Sequence, residues 1–122
     1  MARILIVEDE AIVAMATKMM LKDLEHQTVA VVATGELAIQ NSAEHMVDLI
    51  LMDIKLKGEV DGIIAAHEIR KNQTVPIIFV TGNSDMRTRQ RIEQISNASI
   101  LQKPVMMDDL KASLKEVLKN TQ

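Results

Sequence analysis

The sequence predicts an α/β domain: one five-stranded parallel sheet with helices on both faces. Three observations carry this. The chain has 122 residues, enough to bury one core and too few for two. Five short runs rich in Ile, Leu and Val punctuate it: Ile4 to Val7, Val29 to Ala33, Val47 to Met52, Ile77 to Val80 and Ala98 to Leu101. Nearly continuous apolar runs are what strands buried on both faces require. Between the runs lie segments of helical length, and this alternation implies a parallel sheet covered on both sides.

The first run stops at Glu8-Asp9-Glu10. Residues 11 to 25 then place Val13, Ala16, Met20 and Leu24 at spacings of three and four, one face of a helix. The second run ends at Thr34-Gly35 and leads into another segment of helical length. The third run ends at Asp53, and residues 62 to 70 carry Ile63, Ala66 and Ile69. The fourth ends at Thr81-Gly82. The segment Asn83 to Ser96 behind it has only Met86, Ile92 and Ile95 as apolar residues, crowded by Arg87, Arg89 and Arg91. It is expected to be the least firmly packed helix. The fifth run ends at Lys103-Pro104, and residues 106 to 118 place Met107, Leu110, Leu114 and Val117 on one face. Asp108 and Asp109 sit there in the first turn, where the helix dipole favours negative charge. Right-handed crossovers leave few topologies for five such units. The best match is the flavodoxin-like (βα)5 order, 2-1-3-4-5.

Composition narrows the function. Apolar residues make up 48% and charged residues 25%, which excludes disorder. There is one Phe (Phe79), no Tyr and no Trp, against nine Met. A site that stacks bases or flavin rings on aromatics is therefore disfavoured. No Cys is present, so there is no disulfide framework and no thiolate metal site. The net charge of −3 carries no footprint of nucleic-acid binding. The first apolar run is too short for a signal peptide or a membrane span, so a cytoplasmic location is expected.

Ligands of open parallel sheets bind outside the carboxyl ends of the strands. The residues that end each run therefore matter most. Glu8 and Asp9, Asp53, Thr81 and Gly82, and Lys103 converge on one rim in the predicted order. Three close carboxylates repel one another unless a cation joins them. A site of oxygen donors with few protein ligands suits Mg²⁺. Taken singly, Glu8-Asp9 is equally a helix-capping turn, Asp53 a strand-end residue and Lys103 a surface lysine. Together they describe a phosphoryl acceptor. An Asp beside Mg²⁺ and Lys can attack phosphorus, while metal and ammonium neutralise the transferring group. Thr81 offers a rotatable donor, and Gly82 lets its backbone N–H approach closely.

At this point the chain resembles the receiver domain of two-component response regulators, over residues 1–122 as one domain. The resemblance rests on Ile4-Leu5-Ile6-Val7-Glu8-Asp9-Glu10, Asp48-Leu49-Ile50-Leu51-Met52-Asp53-Ile54, Asp61-Gly62, Val80-Thr81-Gly82 and Lys103-Pro104. It implies that Asp53 is the phosphoacceptor, supplied by a sensor histidine kinase or a phosphotransfer protein. It implies that Glu8, Asp9, Asp53 and the backbone carbonyl of Lys55 hold Mg²⁺. Thr81 is then the switch hydroxyl, Lys103 the phosphate-pairing lysine, and Pro104 follows a cis peptide bond. The implied domain is not an enzyme, apart from Mg²⁺-dependent self-phosphorylation and autodephosphorylation.

The sequence departs from the family pattern in several places. Asp61-Gly62 lies eight residues after the acceptor rather than seven, with Gly58 as turn residue. Position 82 is Gly where Ala is commoner. The aromatic switch position, three before the lysine, is Ile100, and Val105 replaces a frequent Phe. Lys55 and Asn83 occupy positions that in this family influence phosphate lifetime. Lys55 either leans over the phosphoryl group or is a solvated loop lysine.

Other candidates are plainer. His26, His45 and His67 have no metal-ligand spacing and read as surface residues. Met15, Met19, Met20, Met106 and Met107 read as core and packing filler. Arg87, Arg89 and Arg91 read as a solvated face or as a partner surface, since the fourth helix and fifth strand form the common output face of receivers. The same face would serve a homodimer. The expected function is a phosphorylation-activated switch. The alternative is a receiver-fold interaction module independent of phosphorylation, suggested only by the absent aromatic. A haloacid-dehalogenase-type phosphatase would need an Asp where Lys55 stands. A flavodoxin would need aromatic walls, and Thr81-Gly82-Asn83-Ser84 is a thin phosphate loop. Neither the downstream effector nor the choice between a stand-alone receiver and a piece of a larger regulator is readable here.

Overall fold

The computed structural model describes residues 1–82 and 85–119. Strands β1 (Arg3–Val7), β2 (Gln27–Val32), β3 (Leu49–Asp53), β4 (Ile77–Thr81) and β5 (Ala98–Gln102) alternate with helices α1 (Ala11–Asp23), α2 (Gly35–Glu44), α3 (Gly62–Arg70), α4 (Met86–Glu93) and α5 (Met107–Leu118). All strand pairs are parallel, in the order β2-β1-β3-β4-β5. This is the predicted fold class and strand order.

The two-residue period of the strands divides the core into two layers. Ile4, Ile6, Leu49, Leu51, Ile78 and Val80 face α1 and α5, where Ala14, Leu21, Leu110 and Leu114 meet them. Leu5, Val7, Ile50, Met52, Ile77 and Phe79 face the opposite way, against Ala38 of α2, Ile63, Ala66 and Ile69 of α3, and Ile92 of α4. Every residue of β3 and β4 is buried, as the apolar runs predicted. The edge strands differ. β2 begins at Gln27, two residues before the predicted run, and only Val32 in it is buried. Its pairing with β1 slips between Ile4 and Leu5.

Several side chains lie where the sequence did not put them. The buried face of α1 is Ala14, Thr17 and Leu21. Val13, Met20 and Leu24 flank it half-buried, and Ala16 is exposed. The face is turned because Thr17 can be buried: its Oγ1 donates to the Val13 carbonyl at 3.1 Å, satisfying the hydroxyl inside the helix. Met15, Met19 and Met106 are exposed rather than core, while Met20 and Met107 are half-buried. His45 and His67 are exposed, but His26 is half-buried and its Nδ1 accepts from the Ala2 N–H at 3.0 Å.

The weak fourth helix is as expected. Ile92 is its one buried residue, and Asp85 caps it by accepting from the Thr88 N–H at 2.7 Å. Asn83 and Ser84 lie outside the described residues. No helix among the described residues is long and apolar enough to cross a membrane.

Candidate functional site

Parallel strands bring all their carboxyl ends to one edge, and register sets which ends meet. Val7 is level with Met52, and Asp53 with Val80. Thr81 is level with Gln102, and the Lys103 N–H donates to the Thr81 carbonyl at 2.9 Å. Glu8, Asp53, Thr81 and Lys103 thus gather from four strand ends, while β2 contributes only the Val32 carbonyl, which accepts from the Glu8 N–H at 2.9 Å.

Glu8, Asp53 and Thr81 are buried, and Asp9 is half-buried. Ligand oxygens of Glu8, Asp9 and Asp53 lie within 4.8 Å of one another. The Lys103 ammonium sits between two of these acids, 2.9 Å from Asp53 Oδ2 and 3.1 Å from Glu8 Oε1. Glu8 Oε2 accepts from the Glu10 N–H at 3.1 Å, so this carboxylate fixes the turn into α1 as well as facing the lysine. Burial pulls the Lys103 pKa down, but the hydrogen bonds and charges of Asp53 and Glu8 outweigh it and hold the ammonium above its ordinary value. Lys103 therefore stays charged throughout the neutral range. One ammonium against three carboxylates leaves the site short of positive charge. The donor set is all oxygen, which fits a hard divalent cation such as Mg²⁺.

These groups open into a cleft of about 400 Å³ lined by Asp9, Glu10, Asp53, Lys55, Thr81, Gly82 and Lys103. Lys55 is exposed on its rim. The Lys103–Pro104 peptide bond is cis, and Gly58 adopts φ of 90°, both as the resemblance and the turn reading implied. Gly82 is exposed, and a Cβ built there meets nothing within 4 Å. The packing of the chain itself therefore does not require glycine at this position. Ile100 lies on β5 level with Phe79, half-buried against the α2–α3–α4 layer of the core. It packs against this layer and is not among the residues that line the cleft.

Two features escaped the sequence reading. A Cβ at Gly62 would overlap the Asp53 carbonyl oxygen and approach Met52 Cγ to 2.9 Å. The Gly62 N–H also donates to the Ile54 carbonyl at 2.8 Å. Glycine is needed so that α3 can start against the end of β3. In addition, Arg91 is half-buried and pairs with Asp61 at 2.9 Å. Thirty positions separate these two, and only their opposite charges hinted at a pairing.

Comparisons with known proteins agree with this geometry. Residues 4–115 match the family model described as the response regulator receiver domain. A transcriptional regulatory protein, PdtaR of Mycobacterium tuberculosis, is 33% identical over 108 residues, covering 88% of this chain and 52% of that protein. The chain spans about half the length of the first curated relatives it matches. Among solved structures, the receiver domain of a modulated diguanylate cyclase from Desulfovibrio desulfuricans superposes with a TM-score of 0.90 at 31% identity, covering 98% of this chain and 95% of that one. The receiver domain of a sensor histidine kinase from Pseudomonas aeruginosa, with a magnesium ion in its active-site cleft, gives a TM-score of 0.86 at 30% identity, covering 97% and 98%. Strand order, rim and sequence match thus converge: this chain belongs to the receiver domain family of two-component response regulators.

Proposed function

We propose that this receiver accepts a phosphoryl group on Asp53 and uses the adduct to change its partner-binding surface. The observation that carries the proposal is the buried Asp53 carboxylate, held at 2.9 Å by Lys103 beside two further acids at the mouth of an open cleft. The donor is the phosphohistidine of a sensor kinase or phosphotransfer protein. An Asp53 carboxylate oxygen attacks phosphorus. The new P–O bond forms as the P–N bond breaks, and the electron pair stays on the imidazole nitrogen, which takes a proton from water. Lys103 is already at Asp53 and needs only a small shift to pair with a phosphoryl oxygen. Thr81, buried at the end of β4, supplies a hydroxyl donor to the adduct. Glu8, Asp9, Asp53 and the Lys55 carbonyl are the groups that would hold Mg²⁺. When bound, the ion neutralises charge on the phosphoryl oxygens.

No turnover of an external substrate belongs to this reading beyond self-phosphorylation and loss of the adduct. A cytoplasmic location follows from it, with the kinase as donor. The output runs through α4 and β5 to an effector that this sequence does not identify.

Incubation with acetyl phosphate and Mg²⁺, followed by intact-mass measurement, tests the proposal. One added phosphate is expected, lost on chelation of the metal and in Asp53→Asn. An unmodified wild-type mass would instead support the phosphorylation-independent module.

A further inference from the structure

Helix α4 buries only Ile92 of its own residues, and two arginines tie it and the turn behind it to the α3 region. At its far end, Arg70 donates to the carbonyls of Ser96 and Asn97 at 2.9 to 3.2 Å, and to those of Gln73 and Val75. At its body, Arg91 donates to Asp61 Oδ2 at 2.9 Å. Asp61 is itself immobilised. Its Oδ1 caps α3 by accepting from the Ile64 N–H at 2.8 Å, and the next residue, Gly62, is pressed against the Asp53 carbonyl. One short path therefore runs from the acceptor backbone through Gly62 and Asp61 to Arg91 on α4.

The two ties differ in strength. Arg70 reaches two carbonyls just past the end of α4, Ser96 and Asn97, through three hydrogen bonds. Arg91 makes a single ion pair whose side chains are 41% and 29% exposed. A helix that buries one residue of its own is placed largely by such ties. We propose that the Asp61–Arg91 pair is a latch: it holds α4 in its resting position against α3, opposes the shift that phosphorylation favours, and so makes Arg91 a positioning residue for the phosphoryl switch. The consequence for phosphorylation rests on the function proposed above. The tether itself does not. If the adduct is more stable with α4 released, a latch on the resting state lowers the competent fraction, and breaking it raises that fraction.

The test uses Asp61→Asn, Arg91→Gln, the double variant, and Arg91→Lys as the conservative rescue. Asn keeps an oxygen for the Ile64 cap while removing the charge. A half-exposed pair of this kind is worth about a two- to five-fold change in an equilibrium. Hydrogen exchange read by mass spectrometry should speed up about that much for α4 amides in both single variants, with α5 and β3 unchanged. The double variant should match either single one, and Arg91→Lys should stay near wild type. The initial rate of labelling by acetyl phosphate should rise by a similar factor. A purely structural contact would not raise it. Unchanged α4 exchange overturns the latch outright, whether or not the protein is phosphorylated. Faster exchange with an unchanged labelling rate overturns its role in the switch. Failure of wild type itself to take phosphate refutes the function proposed above and that role with it, while the exchange data still decide on the tether.

Discussion

Replacing the Asp53 carboxylate with its amide should make this protein more stable, not less. Asp53→Asn keeps shape and volume but removes one of three crowded negative charges. Each like-charged pair separated by up to 4.8 Å repels by at least about 3.5 kcal/mol at an effective dielectric constant of about 20. Two such repulsions disappear. Against them stands the lost attraction to Lys103 at 2.9 Å, about 6 kcal/mol on the same scale. The balance favours the variant by about 1 kcal/mol. The amide oxygen can still accept from Lys103, and a neutral group is cheaper to bury, so both corrections push the same way. The expected gain is about 1–2 kcal/mol, or roughly 3–10 °C in Tm for a domain of this size. Urea and thermal unfolding followed by far-ultraviolet circular dichroism, in chelator, measure it. Mg²⁺ at about 100 times its Kd should then stabilise wild type by about 2.7 kcal/mol and outweigh that gain. A variant less stable than wild type in chelator would refute this electrostatic picture of the rim. So would equal stabilisation of both proteins by Mg²⁺.

Other expectations follow from individual contacts. Gly62→Ala should cost about 1–3 kcal/mol, because its Cβ meets backbone that cannot yield; Gly82→Ala should fall within about 0.5 kcal/mol of wild type in the same unfolding assay. Burial first, and then the positive chain terminus, hold His26 below its ordinary 6.5, with Glu25 opposing them. Its contribution is therefore complete above 6.5 and is lost as pH falls through the folded-state value. Urea midpoints should drop below that pH in wild type, and His26→Gln should remove part of the drop. Lys103 has the opposite sign: its raised pKa contributes stability that is full below 10.5 and lost at higher pH, a loss that Lys103→Met should abolish in alkaline unfolding. Lys55→Ala should change the lifetime of the phosphorylated form if Lys55 shields it from water; identical decay in the two proteins would leave Lys55 a solvated loop residue.

The strands at the centre of the sheet were legible because burial on both faces leaves no alternative to Ile, Leu, Val and Met. The rim was legible for a related reason: each rim residue stands within two positions of the end of an apolar run, and parallel pairing fixes where runs end. Edge strands and helix faces were less so. β2 is an edge strand paired on one side only, and its polar start, Gln27 and Thr28, hides the boundary. On α1, a threonine satisfied by its own helix took a core position that pattern alone assigns to an apolar residue. Exposed Met15 and Met19 carry no mark that separates them from buried methionine. Gly62 and the Asp61–Arg91 pair depend on how closely two elements approach, a distance that one-dimensional spacing does not contain.

Phe79 is fully buried at the centre of β4 and is the chain's only aromatic residue. The molecule is thus optically dark in the range where indole emits. A single tryptophan introduced at Met86, 73% exposed on α4, would be its sole emitter. Its spectrum would follow that helix alone, without subtraction, in a stopped-flow cell with a small phosphodonor.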